Sequence, residues 1–342
     1  MAEIDIEPYS IEKENEWDRF IREEACNATF LQTRKFLNYH PEGKYADCSL
    51  LFYRKGRLVG VCPACITYEK GIKTFSSHPG STYGGIIVSR EMLRAERMLE
   101  LIDVMEEHLQ ENNYGRCVLK QNNPLMDAVP MDLLEFCLYF RGYMEYKELD
   151  IYIDYDVYNT EEIVSNFSKL KKRQIKKCIE SSMELRELSG LEDMREFIRI
   201  LGANLQKYGL TPYHTPEDLM ELKSRFPNEI QFWGAIHEGK AIAESMVFLF
   251  DRSGCAHTHY LAADPDYSSM NPMTFIYYSM IEKYAKEGFK TLSWGITTEH
   301  LGTDINHNLT NTKEEFGSRH NVVKIYEKAL GLTNDTECAK KH

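Results

Sequence analysis

The sequence predicts a mixed α/β protein built from two similar halves. Stretches with helical periodicity alternate with stretches of strand character, and 342 residues suffice for two domains. A hairpin pattern also recurs at an offset of 183 residues, so that residues 51–61 align with 234–244 and Gly71 aligns with Gly254. A repeat this long indicates a pair of domains and not a solenoid.

The first half alternates strands with amphipathic helices. Its predicted elements are, in order, strand 4–8, helices 11–24 and 32–39, a hairpin of strands 48–53 and 57–68, short strands 74–75 and 85–88, helix 91–110, and strands 116–120 and 143–155. The longest helix places Met98, Leu101, Ile102, Met105 and Leu109 on one face, which we expect to be buried.

The second half repeats that order. Its predicted elements are helices 191–208 and 215–226, hairpin 230–250, strand 255–262 and helix 273–287. Thr215 and Asn271 each precede a proline, which is typical of a helix N-terminus. The boundary is expected within residues 156–160, giving domains 1–156 and 157–330 and a polar tail 331–342.

Composition limits the classes of partner. With 41 basic and 53 acidic residues the net charge is −12, which argues against DNA binding over a broad surface and leaves only local basic patches. The start lacks a basic segment with an apolar core, and no run of 18 apolar residues occurs, so neither a signal peptide nor a transmembrane segment is predicted. Nine scattered cysteines indicate reduced thiols, and we expect a cytoplasmic protein.

A polar segment near the end carries the densest chemistry. A strand ending at Gly295 leads into a loop of Thr, Asn, His and Asp, and a final strand follows at 322–326. Thr312 and Glu315 have capping-box spacing for a short helix that Gly317 can end. Lys313 and Arg319 near this turn could hold an oxyanion or a phosphate. The alternative is a long connection held by its own hydrogen bonds.

This segment resembles a known family. Gly295-Ile-Thr-Thr-Glu299, Gly302, Asn306 and Lys313-Glu-Glu-Phe316-Gly317 are similar to the end of FemAB-like proteins of the GNAT (N-acyltransferase) superfamily, and the resemblance covers roughly residues 30–326. It implies two tandem GNAT-like acyltransferase domains. In the best-known members an aminoacyl group passes from aminoacyl-tRNA to an amine of a peptidoglycan precursor, which implies a substrate cleft between domains and a role in cell-envelope biosynthesis.

The resemblance also implies roles for individual residues. Lys313 matches a lysine thought to stabilise negative charge at the acyl group, and Phe316 would line the donor pocket. Family-like features at 208–214 and 80–85 add His214 and Tyr83, the latter beside glycines that allow close approach to a ligand. The residues expected to bind substrate are Lys169, Lys172, Arg173, Lys176, His214, Tyr83, Trp294, Asn306, Phe316 and Arg319.

A basic stretch stands out against the acidic average. Residues 169–177 hold six cations in nine positions, and on a helix Lys169, Lys172, Arg173 and Lys176 form one stripe. A solvated helix face is the alternative. FemAB-like proteins carry a comparable helix near the substrate, which implies an anionic partner: a nucleotide-linked precursor, a tRNA acceptor end or coenzyme A.

The acyl donor is left open between aminoacyl-tRNA and acyl-CoA, and no further cofactor is indicated. Acetyl-CoA-dependent GNAT domains hold the pyrophosphate on a glycine-containing loop, whereas residues 259–271 lack glycine and contain Asp264 and Asp266. Glu299, Asp304 and Tyr260 are candidates for taking the amine proton, and together with Lys313 they form the predicted catalytic set.

Other motifs are weaker. Cys62-Pro-Ala-Cys65 has redox spacing but lies within an apolar strand, and the histidines at 257, 259, 300 and 307 lack ligand spacing, so no metal is predicted.

Three functions stay open. They are a FemAB-like enzyme acting on an amine of a cell-envelope precursor, an acyl-CoA-dependent N-acyltransferase acting on an amino sugar or small amine, and a non-catalytic protein that binds an anionic ligand.

Overall fold

The computed structural model describes residues 3–41 and 43–331 and divides the chain into two compact units. The first unit runs to Glu148 and also takes in the chain from Val322 onward, and the second comprises Leu149–Asn321. This division differs from the predicted bounds because the last strand pairs with a strand of the first unit. The predicted tail lies outside the described residues apart from Gly331.

Strands predominate in the first unit. Its elements are β1 (Ile4–Pro8), α1 (Glu14–Arg19), α2 (Arg34–Leu37), β2 (Ala46–Asp47), β3 (Leu50–Arg54), β4 (Arg57–Cys62), β5 (Cys65–Glu69), β6 (Ile72–Ser77), β7 (Ile87–Val88), α3 (Ala95–Glu111), β8 (Arg116–Lys120), α4 (Asp132–Phe140) and the start of β9 (Met144–Asp154). Strands β1, β3, β4 and β7 form one antiparallel sheet. Strands β2, β5, β6 and β8 belong to another, in which β6 and β8 are parallel.

The strand predicted at 57–68 is two strands. It breaks at Pro63 and Ala64, and β4 and β5 pair in different sheets. Proline has no N–H to donate to a ladder, so a strand that passes through it is interrupted. The predicted buried face of α3 is confirmed, since Met98, Leu101, Ile102, Met105 and Leu109 are all fully buried.

The second unit has helices packed on its main sheet and a separate two-stranded hairpin. Its elements are α5 (Lys169–Glu180), β10 (Glu184–Glu187), α6 (Leu191–Leu205), α7 (Pro216–Arg225), β11 (Ile230–His237), β12 (Lys240–Phe250), β13 (Cys255–Ala263), α8 (Pro272–Lys286), β14 (Thr291–Ile296), β15 (Thr298–Glu299), β16 (Asp304–Ile305), α9 (His307–Glu314) and the start of β17 (Arg319–Ala329). Strands β10 to β13 are antiparallel in chain order, and β14 then pairs in parallel with β13.

Helix α8 packs on β11, β12 and β13 and is covered by α5, whereas α6 packs on β12 and β13.

None of the helices within residues 3–41 and 43–331 combines the length and apolarity needed to cross a membrane. The eight cysteines in this part of the chain are free thiols.

We expect Arg34→Lys to destabilise the first unit by about 2–3 kcal/mol, because a lysine cannot stack as a planar guanidinium does. Arg34 is 0% exposed and pairs with Asp47. Its guanidinium carbon lies 3.3 Å from the ring centre of Tyr9 and 4.1 Å from that of Trp17. Urea unfolding measures the loss, with exposed Arg22→Lys as control; an equal stability for both variants would contradict the stacking argument.

Candidate active site

Two parallel strands of the second unit separate part-way along their length. The described ladder between β13 and β14 consists of Cys255–Thr291, Ala256–Leu292 and His257–Ser293. Beyond this point β13 continues to Ala263 and β14 to Ile296. Where adjacent strands separate, backbone groups and side chains along the edges become available to a ligand.

A bulge in β13 lies directly after the last of these pairs. Thr258 pairs with Val247 and Tyr260 with Met246 of β12, so His259 is the extra residue. A bulge redirects the side chains next to it. The rings of His259 and Tyr260 are consequently only 4.4 Å apart, and the His259 ring stacks on Phe248 at 4.5 Å.

The structure brings together two predicted residues, Tyr260 and His214. The Tyr260 hydroxyl lies 2.9 Å from His214 Nδ1. His214 belongs to the loop before α7, and the side chain of Thr215 fixes the start of that helix by accepting the Asp218 N–H at 3.1 Å. Burial raises the pKa of Tyr260 to about 12, so its phenol is protonated at neutral pH.

Lys313 lies on α9 and points into the second unit, where it is 3% exposed. Its Nζ donates to three successive backbone carbonyls, those of Trp294 at 2.7 Å, Gly295 at 2.9 Å and Ile296 at 3.3 Å. Burial lowers the pKa of Lys313 to about 8, an effect that the negative charge of Asp150 partly opposes. Each ammonium proton thus has a carbonyl acceptor, and contact with an acyl oxygen would require one of these bonds to break. The role of Lys313 in the transfer stays a prediction.

The helix that carries Lys313 begins earlier than predicted. Asn306 is its N-cap and accepts the Leu309 N–H at 3.1 Å, whereas Thr312 lies inside the helix and donates to Asn308 O. The predicted capping box of Thr312 and Glu315 is therefore wrong, because the helix already has its cap at Asn306, six residues upstream. Gly317 ends the helix as predicted, with a φ of +78° and its N–H on Glu314 O.

A buried hydrogen-bond network beside Lys313 was not found from the sequence. Ser293 Oγ donates to Asp150 Oδ1 at 2.9 Å and accepts the Gly295 N–H at 3.1 Å. Ser293 Oγ also lies 2.9 Å from His257 Nδ1. Because the single hydroxyl proton of Ser293 is already donated to Asp150, His257 donates its Nδ1 proton to Ser293 Oγ. Burial and the charge of Lys313 lower the pKa of His257 to about 3, so this imidazole stays neutral.

Two residues predicted to bind substrate lie in the core of the second unit. Phe316 is fully buried and stacks on Tyr277 with ring centres 4.6 Å apart. Trp294 is also buried, and its Nε1 donates to Ser318 Oγ at 3.2 Å. Both rings face protein in this packing, and their roles in binding substrate stay predictions.

The other predicted residues occupy separate positions. Glu299 and Asp304 are exposed on the β15–β16 hairpin, where Asp304 lies 2.7 Å from His300 Nδ1. Arg319 is exposed and pairs with Asp154 at 2.8 Å. Neither carboxylate of this hairpin has a described contact with Tyr260 or Lys313 in residues 3–41 and 43–331.

Tyr83 lies in the first unit and is buried. The glycines beside it were expected to allow a ligand to approach. The chain's own atoms occupy that space, since a Cβ on Gly84 would lie 2.6 Å from Ser77 Oγ. The close approach is therefore internal packing.

The basic stripe is exposed. Lys169, Lys172, Arg173 and Lys176 face solvent on α5. The opposite side of the helix is anchored, because Gln174 accepts from Thr274 of α8 at 3.0 Å and the buried Lys171 pairs with Glu315 at 3.5 Å. The helix is thus fixed on the second unit while it presents its cations outward.

The loop between β13 and α8 is closed on itself. Asp264 Oδ1 accepts the Asp266 N–H at 3.0 Å, and Oδ2 pairs with Arg199 at 2.5 Å. At the start of α8, Pro272 has no N–H, and the N–H groups of Thr274 and Phe275 donate to Asn271 O. Several of the amides that would otherwise be available to an anion are already used.

Comparison with known proteins defines the class. Residues 165–301 match the family model described as an acetyltransferase (GNAT) domain, and the parallel strands that separate after His257 lie within it. No curated protein matches the chain by sequence. The prediction of an enzyme that transfers acyl groups is confirmed by this match.

Similarity of fold to solved structures covers most of the chain. The chain is similar to FemX, with 12% identity over 94% of this chain and 96% of that protein and a TM-score of 0.66. It is also similar to L-PGS from Bacillus licheniformis, with 11% identity over 96% of this chain and 94% of that protein and a TM-score of 0.60. A tandem GNAT protein from the clavulanic acid biosynthesis pathway is similar with 9% identity over 96% of this chain and 99% of that protein and a TM-score of 0.56. Residues 165–301 therefore match a GNAT domain, and the chain has a mixed α/β fold similar to those of FemX and of a tandem GNAT protein, as the sequence predicted.

Proposed function

We propose that this chain transfers an aminoacyl group from an aminoacyl-tRNA to an amine of a cell-envelope precursor. The FemAB-like fold supports this proposal. Similarity to L-PGS and to the C-terminal domain of a putative lysylphosphatidylglycerol synthetase from Agrobacterium fabrum (11% identity, 93% and 92% coverage, TM-score 0.59) supports an aminoacyl donor further.

The observation that carries the choice of donor is the loop between β13 and α8. A pyrophosphate needs free N–H groups and a positive or neutral surrounding. Here the Asp266 N–H is bonded to Asp264, and both carboxylates would repel the ligand. An aminoacyl ester does not need this loop, because its phosphates belong to the RNA backbone.

The basic stripe on α5 supports a polyanionic donor. Its four exposed cations are carried on a helix whose inner side is bonded to α8, so they are held without being neutralised by that packing. Phosphate contacts of this kind are weakened steeply by salt.

Thermal stability measured against three ligand sets tests the proposal: coenzyme A thioesters, aminoacyl-tRNA mimics and UDP-linked wall precursors. A ligand that binds only the folded state at 100 times its dissociation constant adds about 2.7 kcal/mol. We expect the tRNA mimic to stabilise the chain by about this amount, and by less at high salt. We expect the coenzyme A thioesters to leave the stability unchanged.

Charge reversal locates the effect on the protein. We expect Lys172→Glu combined with Lys176→Glu to abolish stabilisation by the tRNA mimic. The control combines Lys286→Glu with Lys290→Glu, which changes the net charge by the same amount on another part of the second unit. We expect this control to keep the stabilisation by the tRNA mimic. Stabilisation retained by the first pair of substitutions would remove α5 from the donor site.

A second candidate is an acyl-CoA-dependent N-acyltransferase acting on an amino sugar or small amine. It is favoured by the match of residues 165–301 to an acetyltransferase (GNAT) domain and by the similarity in fold to a tandem GNAT protein from the clavulanic acid biosynthesis pathway. Stabilisation by coenzyme A thioesters alone would select this candidate. A lack of response to all three ligand sets would contradict both candidates.

A further inference from the structure

We propose that Tyr260 and His214 form the proton-accepting pair of the transfer, with Tyr260 in contact with the acceptor amine and His214 as the group that receives the proton. This assignment rests on the proposed function, because it requires an amine to be acylated. It names an acid–base pair that is separate from Lys313 and from the network around Ser293.

The position of Tyr260 favours this role. It follows the last described pair between β13 and β14 by three residues, on the part of β13 that separates from its neighbour. The bulge at His259 redirects its side chain, and Tyr260 remains partly exposed whereas His214 is buried. A small amine can therefore reach the phenol, while the imidazole behind it is shielded from water.

The chemistry requires both residues. A phenol whose pKa is raised by burial is a poor base on its own. It can take a proton from the amine only while it gives its own proton away, and His214 Nδ1 lies at hydrogen-bond distance to receive it. The titratable rings described against His214 are those of Tyr213, His259 and Tyr260.

In the proposed step the amine proton reaches His214 through Tyr260 while the acyl group passes from the ester oxygen to the amine nitrogen. The amine nitrogen forms a bond to the acyl carbon, and the carbonyl π pair moves to oxygen. The surplus ammonium proton passes to Tyr260 Oη as the phenol proton passes to His214 Nδ1. The carbonyl re-forms, the bond between the acyl carbon and the ester oxygen breaks, and that oxygen leaves with the electron pair. The imidazolium then returns its proton to the leaving alkoxide or to water.

The test compares Tyr260→Phe with Tyr213→Phe in a transfer assay with aminoacyl donor and acceptor amine. Tyr213 also lies against the His214 ring but is half exposed, so its variant is a matched control. We expect Tyr260→Phe to lower kcat by about 10²–10⁴-fold with little change in KM, the usual contribution of acid–base catalysis, and Tyr213→Phe to keep its rate.

The second arm uses His214→Ala with and without added imidazole, and circular dichroism verifies that the variant is folded. We expect a slow enzyme whose rate imidazole partly restores, and a double variant with Tyr260→Phe no slower than the slower single variant. A purely structural role for His214 would not respond to imidazole.

The outcomes separate the two proposals. If the unsubstituted chain transfers the acyl group and Tyr260→Phe keeps the full rate, the pair is overturned and the proposed function stands. The same holds if the His214→Ala variant is folded and imidazole does not restore its rate. Absence of transfer by the unsubstituted chain with every donor overturns the proposed function and the pair with it.

Discussion

Lys313→Met is expected to lower the free energy of unfolding of the second unit by about 2–5 kcal/mol at pH 7 and to abolish transfer. The substitution keeps most of the side-chain volume but removes the donor to the carbonyls of Trp294, Gly295 and Ile296. A buried carbonyl left without a donor costs about 1–3 kcal/mol. Three such losses total about 3–9 kcal/mol. The middle of this range outweighs the roughly 3 kcal/mol recovered when a buried charge of lowered pKa is removed.

The effect of Lys313→Met should grow as the pH rises. The pKa of Lys313 falls from 10.5 to about 8 on folding, so between these values the unfolded chain holds a proton that the folded chain has released. The free energy of unfolding of the unsubstituted chain therefore increases by up to about 3 kcal/mol between these pH values, whereas that of Lys313→Met lacks this increase.

Chemical denaturation at pH 7 and pH 10 measures both effects. Lys176→Met is the control, since Lys176 is exposed on α5 and its replacement should change stability by no more than about 0.5 kcal/mol. An unfolding free energy for Lys313→Met equal to that of the control would show that the three carbonyl bonds contribute nothing. Normal stability with lost transfer would instead favour direct contact between Lys313 and the acyl group.

Glu244→Met is expected to act in the opposite direction and stabilise the second unit by about 1–4 kcal/mol at pH 8. Glu244 lies within β12, paired with Gly234 on one side and Ala262 on the other, and is 0% exposed. Within the described residues neither carboxyl oxygen has a hydrogen bond of normal geometry, and the weak influence of the Leu201 backbone and of Arg199 does not offset its burial. An apolar side chain of similar volume removes that cost without leaving a cavity.

The pH dependence provides a second test of Glu244. Burial, and then the charge of Glu196, raise the pKa of Glu244 well above its ordinary value, so the folded chain retains a proton that the unfolded chain loses. The stability that this proton confers is complete below the unfolded pKa and is lost as the pH rises toward the folded pKa. The advantage of Glu244→Met should therefore be larger at pH 8 than at pH 5.

Thermal unfolding at the two pH values decides the point, and Glu184→Met on an exposed position of β10 serves as control. One kcal/mol corresponds to about 2–4 °C in Tm for a unit of this size. A lower Tm for Glu244→Met at pH 8 would mean that the carboxylate has a stabilising partner. A higher Tm with a loss of transfer would mean that the carboxyl is retained for function.

Much of the local structure could be predicted from the sequence. The buried face of α3, the helix end at Gly317 and the exposed stripe on α5 follow from spacing alone, because helical periodicity determines which side chains share a face. The short motifs between Gly295 and Gly317 also carried the resemblance to FemAB-like GNAT proteins, because these motifs lie close together in the chain.

The partners of the site residues were decided by the tertiary structure. Ser293 and Asp150 are 143 positions apart, and His214 and Tyr260 are 46 apart, yet each pair is joined by a 2.9 Å hydrogen bond. Neither Ser293 nor Asp150 differs from an ordinary strand residue in sequence, so no local signal marks them. Packing also placed Phe316 in the core, since a residue's neighbours across a fold depend on which elements come together and not on its own type.

The sequence by itself thus determined most of the long helices and strands, the fold class and the family resemblance, because each depends on local patterns of apolar, turn and motif residues. The tertiary structure alone decided that the ammonium of Lys313 is held by three carbonyls and that a phenol and an imidazole meet where β13 separates from β14. The physical reason is that hydrogen bonds and desolvation depend on distances between atoms that only the packed chain brings together.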